Sequence, residues 1–253
     1  MTPLVSVVTP VWNAGATLAE AVASVRAQSF PDWEMLIVDD ASTDGSAALM
    51  ARLAAEDPRI RPLSTGAANA GAAVARNTAI RAARGRYIAF LDADDRWRPE
   101  KLARQLDFMA VHGHELVFSA YRRMDREGRP GRIVPAPPRV TRAELLRGNV
   151  IGCLTAVYDT ARLGKVEMPD IRRRQDYGLW LALLARLPAA HGMPEVLADY
   201  RVDPGSLSGD KFVAARATWR LYRDVEELSR LRAAGYFLHY ALGAAGRRLG
   251  SRD

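Results

Sequence analysis

The chain has a single cysteine, Cys153, so an internal disulfide cannot form and a cysteine-based metal site is excluded. That usage fits a reducing compartment. Nowhere do 18 apolar residues run together, which predicts no membrane-spanning helix. The opening MTPLVSVVTPVWN lacks a basic stretch followed by a long apolar core, so it is expected to be a first strand and not a signal peptide. Paired Cys/His positions and aromatic RNP segments are also missing, and the arginines are spread along the chain. The net charge of +7 therefore points to phosphorylated substrates or anionic lipid, and no nucleic-acid partner is expected. No G-x-G-x-x-G follows the first strand, which argues against a nicotinamide dehydrogenase. Gly66 and Gly71 have the spacing of a Walker glycine pair, but no Lys-Ser/Thr follows, and a P-loop is excluded.

What is present is an ordinary globular composition, 49% hydrophobic and 26% charged over 253 residues. The first half alternates strand and helix patterns. LVSVVTPV (4–11) is a β-branched run, and Thr17 and Glu20 have capping-box spacing before a helix with Leu18, Val22 and Val25 on one face. Glu34 to Val38 is a second strand ending at Asp39-Asp40; Ser42 to Ser46 offers caps for a helix with Leu49 and Leu53 one turn apart. Ile60 to Leu63 suits a third strand. Asn69-Ala70-Gly71 opens a helix to about Ala83, with Gly85 as its C-cap, before a strand over 87–91 and the run Asp92-Ala93-Asp94-Asp95. Strands alternating with helices predict an α/β fold with a mixed, mostly parallel central sheet.

The second half is less regular. Pro99 starts a helix bearing Leu102, Leu106 and Met109; Leu116 to Tyr121 reads as a strand, and 125–138 as a loop or hairpin. Thr141 and Glu144 make another capping box, and Ile151 to Tyr158 reads as a strand. The expected organisation is a domain over 1–210, with a nucleotide-binding half to about 95 and an acceptor half from 96, followed by a basic helical segment over 211–253.

In open α/β sheets, ligands bind beyond the carboxyl ends of the strands, and the polar clusters of this chain fall there. Asp92, Asp94 and Asp95 are hard oxygen donors that repel one another unless a cation or solvent screens them, which suits Mg²⁺ or Mn²⁺. They also suit a solvated turn. Asp39 and Asp40 can accept from a nucleotide's ring or ribose, or cap the next helix. Trp12 can stack on a base or pack in its loop. Asn69 and Gly71 precede a helix N-terminus that attracts phosphate, with Arg76 as a further donor. Asp176, in RRRQDYGLWL, is the best base candidate, and it also suits an N-cap or first-turn residue of the apolar helix that follows; Arg172 to Arg174 would help to keep it ionised.

Together VSVVTPVWN, LIVDDASTDGS, NAGAAVARN, GRYIAFLDADD, QDYGLWL and YRVDPGSLS resemble the family 2 inverting glycosyltransferases of the A-type fold, over roughly residues 4 to 210. The resemblance implies that Pro10, Trp12 and Asp40 surround the nucleoside and that Arg76 lies near the base or diphosphate. It also implies that Asp92, Asp94 and Asp95, with Ala93 between them, form the metal motif at the nucleotide, and that Asp176 takes the place of the catalytic base. Tyr200-Arg201 and the following loop would close over the site. Related sequences often carry a His where this chain has Asp203, which either meets the metal or belongs to a D-P-G-S turn.

The expectation is transfer of a sugar from a nucleotide-diphosphate sugar, with UDP favoured, to a carbohydrate or lipid-linked acceptor, with Mn²⁺ or Mg²⁺ as cofactor. Two rivals stand beside it. A sugar-phosphate nucleotidyltransferase would need a basic Gly-rich loop after the first strand, and VWNAGATLAE has no lysine or arginine. A non-catalytic nucleotide-sugar-binding scaffold would leave Asp176 far from the acidic motif. In the C-terminal segment, Trp219, Tyr222, Val225 and Leu228 recur every three residues, and Phe237, Tyr240, Ala241 and Ala244 form a second stripe with Arg247, Arg248 and Arg252 at its end. These stripes suit either peripheral attachment at the inner face of the membrane, by a cytoplasmic protein, or cover for the domain or a homodimer mate.

Overall fold

The computed structural model describes residues 2–67, 69–202 and 211–249, with the side chains of 211, 212 and 241–249 outside that description. The first half runs Val5–Val11 (β1), Leu18–Arg26 (α1), Trp33–Asp39 (β2), Ser46–Glu56 (α2), Ile60–Ser64 (β3), Ala72–Ala82 (α3) and Tyr87–Phe90 (β4). Next come Arg96–Trp97 (β5), Lys101–His112 (α4), Leu116–Met124 (β6), Pro130–Val134 (β7), Arg139–Val140 (β8), Arg142–Leu145 (α5) and Val157–Asp159 (β9). Thr160–Leu163 (α6), Gln175–Leu184 (α7), Ala190–Arg201 (β10), Lys211–Arg220 (α8) and Arg230–Leu249 (α9) complete the described chain.

One sheet takes the order β3-β2-β1-β4-β9-β6-β10-β5, with β7 on β6 and β8 on β10. The strands β3, β2, β1 and β4 are mutually parallel, and β9 turns the sheet antiparallel between β4 and β6. Both faces are covered. Val5, Val7 and Val11 of β1 join α1 and α4, whereas Val8 points the other way, into a core with α3 and α7. All four valines are fully buried, each worth roughly 1.5–3 kcal/mol. A strand buried on both faces reads as a continuous apolar run, which is why LVSVVTPV is legible without alternation. The chain leaves β1 for β2 on one side and returns to β4 on the other, so a crevice opens at the ends of β1 and β4.

Several local expectations are corrected. Thr17 makes no side-chain cap; Glu20 instead binds Arg96 at 2.6 Å and Arg201, two charged donors that outbid a single backbone N–H. Helix α2 starts at left-handed Gly45 with no side-chain cap of its own, and Asp44 receives the Ser46 N–H at 3.1 Å. Gly85 is not a C-cap. It lies against β1, where an added Cβ would sit 2.6 Å from the Ser6 nitrogen, and its N–H donates to Ser6 Oγ at 2.8 Å. Gly85→Ala is expected to lower stability by about 1–3 kcal/mol through this backbone clash, measured by urea unfolding. An unchanged midpoint would refute the close-approach reading.

Ile151 to Tyr158 is only in part a strand: Cys153–Thr155 forms a 3₁₀ turn, and β9 is three residues long. Trp97 Nε1 and Gln105 Nε2 donate to the Leu154 and Thr155 carbonyls, so side chains replace the ladder there. The box at Thr141 and Glu144 forms as expected. The stripe Trp219, Tyr222, Val225, Leu228 is not one helix face, since nine residues at 3.6 per turn place its ends about 180° apart. A π-helical stretch at Leu221–Val225 and left-handed Glu227 break the helix instead. Leu221, Tyr222 and Leu228 are buried in the domain core, where Tyr222 Oη donates to the Leu146 carbonyl at 2.5 Å. In the second stripe Phe237 packs on Trp219 and Arg174 donates to Tyr240 Oη; Ala241, Ala244 and the terminal arginines lie outside the described side chains. No described helix is long and apolar enough to cross a membrane.

Candidate active site

The loops after β1 and β2 are stitched together. Asn13 N–H donates to Ser42 Oγ at 2.9 Å, Thr43 N–H to Asn13 Oδ1 at 2.8 Å, and Gly15 N–H to Asp44 Oδ2 at 2.9 Å. Asp39 Oδ1 accepts from the Ser42 N–H at 3.1 Å. Just past β1, Trp12 is 66% exposed, and Pro10 within β1 is half-buried. A tryptophan held open at a crevice offers its whole face to a planar ligand.

Asp40 is buried, with both oxygens engaged. Oδ1 accepts from Thr65 Oγ1 and the Ala70 N–H, and Oδ2 from the Gly71 N–H at 2.8 Å. In this structure Asp40 shapes the loop ahead of α3, at the position that the resemblance implies lies beside the nucleoside. That loop needs unusual backbone. Asn69 is left-handed, and Gly71 has φ 95° and ψ 163°, a region essentially closed to side chains.

Arg76, in the second turn of α3, is buried and donates through Nη2 to Asp92 Oδ1 at 2.5 Å. Burial works against the guanidinium's charge, but Asp92 and Asp176 raise its pKa still further. The resemblance implies a place for Arg76 near the base or diphosphate, and its described partner is Asp92 of the acidic motif. Asp94 is exposed as a residue, yet its carboxyl pKa is pushed up to about 6 by desolvation and then by Asp92. Asp95 is buried. It accepts the Arg201 N–H at 2.8 Å through Oδ1, and desolvation followed by Asp94 and Asp92 raises its pKa well above the usual range.

Arg201 is the residue whose reach the sequence did not disclose. From the end of β10 its Nε donates to the Asp94 carbonyl at 2.8 Å and its Nη1 to those of Asp125 and Arg126, while Nη2 meets Glu20. The acidic motif is therefore clamped from the far half of the chain. The spacing of Glu20 from Arg201 carries no local signal. Asp203 and the loop to 210 lie outside the described residues.

Asp176 sits in the first turn of α7. Left-handed Arg174 is the N-cap position, so the N-cap alternative does not hold. Desolvation raises its pKa, opposed chiefly by Arg76 and then by the Tyr177 N–H and Arg174. A carboxylate so raised is a better base than a solvated one. Of the expected basic run, Arg174 acts on Asp176, and Arg76 is the stronger influence. Asp92 is bonded to the Arg76 guanidinium, and Asp176 feels the same charge. Cys153 faces the same charges, but burial holds its thiol protonated.

Among the described residues no three Asp, Glu, His or Cys side chains form a complete metal cage. The donors nevertheless fit Mn²⁺ or Mg²⁺. Asp95 Oδ2 is buried without a hydrogen-bond partner, beside two carboxylates that repel it. Such cations use one or two carboxylates and complete their shell with water and phosphate.

The family model described as "Glycosyl transferase family 2" matches residues 6–157. TuaG of Bacillus subtilis (strain 168), provisionally named a teichuronic acid biosynthesis glycosyltransferase, is 44% identical over 98% of each chain. WfgD of Escherichia coli, named a UDP-Glc:α-D-GlcNAc-diphosphoundecaprenol β-1,3-glucosyltransferase, is 35% identical over 94% of this chain and 92% of its own. Among solved structures, S. aureus TarS 1–349 in complex with UDP-GlcNAc superposes with a TM-score of 0.74 at 18% identity, covering 94% of this chain and 71% of that one. The mannosyltransferase PcManGT of Pyrobaculum calidifontis, in complex with GDP-Man and Mn²⁺, gives 0.70 at 20% identity over 100% and 77%. The likeness to these two structures establishes the A-type glycosyltransferase fold. With its matched segment running from β1 into β9 and relatives aligned along nearly all its length, the chain belongs to glycosyl transferase family 2.

Proposed function

We propose that this glycosyltransferase is metal-dependent and inverting, and that it moves a sugar from a UDP-sugar to a hydroxyl of a lipid-linked carbohydrate in cell-surface polysaccharide assembly. The observation that carries the reading is Arg76, bonded to Asp92 of the acidic motif and acting on the charge of Asp176, which links a donor-side and an acceptor-side carboxylate. The names of TuaG and WfgD support the polymer and the lipid-linked acceptor, and the UDP-GlcNAc complex of TarS supports the nucleotide.

In this reading Trp12 stacks on the uracil, with Pro10 and Asp39 beside it, and Asp40 holds the Asn69–Gly71 loop so that the α3 N-terminus faces phosphate. Asp94 and Asp95, with Asp92 beside them and Ala93 between, would hold Mn²⁺ or Mg²⁺, which when bound stabilises charge on the departing diphosphate. Asp176 accepts the proton of the acceptor hydroxyl as that oxygen attacks the anomeric carbon from the side opposite the diphosphate. Arg76 pairs with Asp92 and opposes the desolvation that raises the Asp176 pKa. One half to about residue 95 binds donor, the half beyond it binds acceptor, and the exposed Leu231 and Leu238 of α9 leave a face for a membrane surface or a second copy.

A donor screen with product detection by NMR tests this. The expected product comes from a UDP-sugar with the anomeric configuration inverted; retention would overturn the mechanism. Metal-assisted UDP affinity is also expected to fall below pH 6, by about tenfold per unit, because a proton on Asp94 competes with the cation. Titration calorimetry with Mn²⁺ at pH 5 and 7.5 reads this, and equal affinities would remove Asp94 from the ligand set.

A further inference from the structure

A second cavity, of about 550 Å³, lies between the segment ahead of α7 and the face of α8. Arg172 and Arg173 line one side and Arg216 and Arg220 the other, with Asp170 the one acid among the described lining residues. Arg216 and Arg220 are four residues apart on α8 and therefore share a face. Among the described residues neither has a carboxylate partner. Ile171 and Ala217 add apolar lining.

Arg216 and Arg220 repel each other across one cavity wall, and an anion seated beside them would relieve that repulsion. Each is a fixed fork matched to phosphate oxygens, and a cavity of about 550 Å³ has room for more than a single phosphate. The cavity is also placed beside the proposed chemistry. Arg172 Nη1 donates to Asn69 Oδ1 at 3.4 Å, which ties its edge to the loop before α3. Residues 170–173 then lead within three residues to Asp176. An anion seated there would hold whatever it carries close to the proposed base.

We propose that this cavity seats the diphosphate of a polyprenyl-diphosphate-linked acceptor, its first isoprene units against Ile171 and Ala217. The proposal rests on the transferase reading and names the acceptor class for it. The acceptor sugar then projects toward Asp176, while the donor diphosphate keeps the acidic motif and the α3 N-terminus.

The test uses the full chain with saturating UDP and Mn²⁺, so that the donor site is filled. Farnesyl diphosphate is titrated, with inorganic pyrophosphate and farnesol as controls. Wild-type protein is expected to bind farnesyl diphosphate at least about tenfold more tightly than either control. The double variant Arg216→Glu/Arg220→Glu, at two exposed positions, should lose about tenfold or more of that affinity with its melting temperature and UDP affinity unchanged. Undiminished farnesyl diphosphate binding in the variant overturns the proposal. So does equal binding of pyrophosphate, which would make this a free-phosphate site, and so does a parallel loss of UDP affinity, which would assign the arginines to the donor. A wild type that binds no UDP removes the transferase reading instead, and farnesyl diphosphate titrated without UDP still reports on the cavity.

Discussion

Asp176→Asn is expected to keep UDP affinity within a factor of about two and to lose transfer by roughly 10²–10⁴-fold, the contribution of a positioned general base. The substitution preserves shape and helix position, and it removes only the ability to take a proton. The loss should therefore fall on kcat, with little change in donor KM, as for an interaction made only in the transition state. Arg76 supplies an internal check. It holds charge beside Asp176 and Asp92 together, so Arg76→Met should impair both turnover and metal-assisted UDP binding. Steady-state kinetics with calorimetry measure all three quantities. An Asp176→Asn enzyme retaining most of its rate would return this carboxylate to a helix-start role.

Asp95→Asn should abolish the Mn²⁺-dependent part of UDP binding while the fold survives. The amide keeps an oxygen for the Arg201 N–H and removes a buried charge. The direction of the pKa shifts gives a second readout. A carboxyl raised in the folded state contributes stability that is fully present below its unfolded pKa and is lost as pH rises through the folded value. For Asp94 that window runs from the ordinary 3.8 to about 6, and the rise for Asp95 has the same sign. At pH 7.5 in EDTA, Asp95→Asn should thus melt higher than wild type, because it no longer carries the repulsion. With Mn²⁺ and UDP the order should reverse, since only wild type gains the ligand's stabilisation. Thermal melts under both conditions decide it; a variant that melts lower in EDTA and still responds to Mn²⁺ would sink the ligand assignment.

In both halves, what escaped prediction has a common cause. Ile151 to Tyr158 is apolar enough for a strand, but Trp97 and Gln105, more than 40 residues away in sequence, take its carbonyls and wind it into a 3₁₀ turn. Glu20 has capping-box spacing and is drawn off by Arg96 and Arg201. Gly85 has C-cap spacing and is required instead by the approach of Ser6. In each case a short-range motif competes with a partner brought up by the sheet, and the long-range partner is the stronger.

Local sequence by itself determined the parts of this protein whose physics is local: the buried strands β1, β2 and β4, the helices between them, and the acidic motif left at a strand end. Apolar runs must be buried and turns must carry polar residues wherever the chain goes, so these signals do not depend on neighbours. Tertiary structure alone decided which charges meet. Arg76 was legible as a helix-borne cation, but only the strand order β1-β4 with α3 packed across it sets its guanidinium on Asp92 and in the field of Asp176. Likewise the clamp of Arg201 on Asp94 and Asp95 joins residues over 100 positions apart. Coulomb energy and desolvation depend on distance in space and on burial, and neither quantity is written in the spacing of residues along the chain.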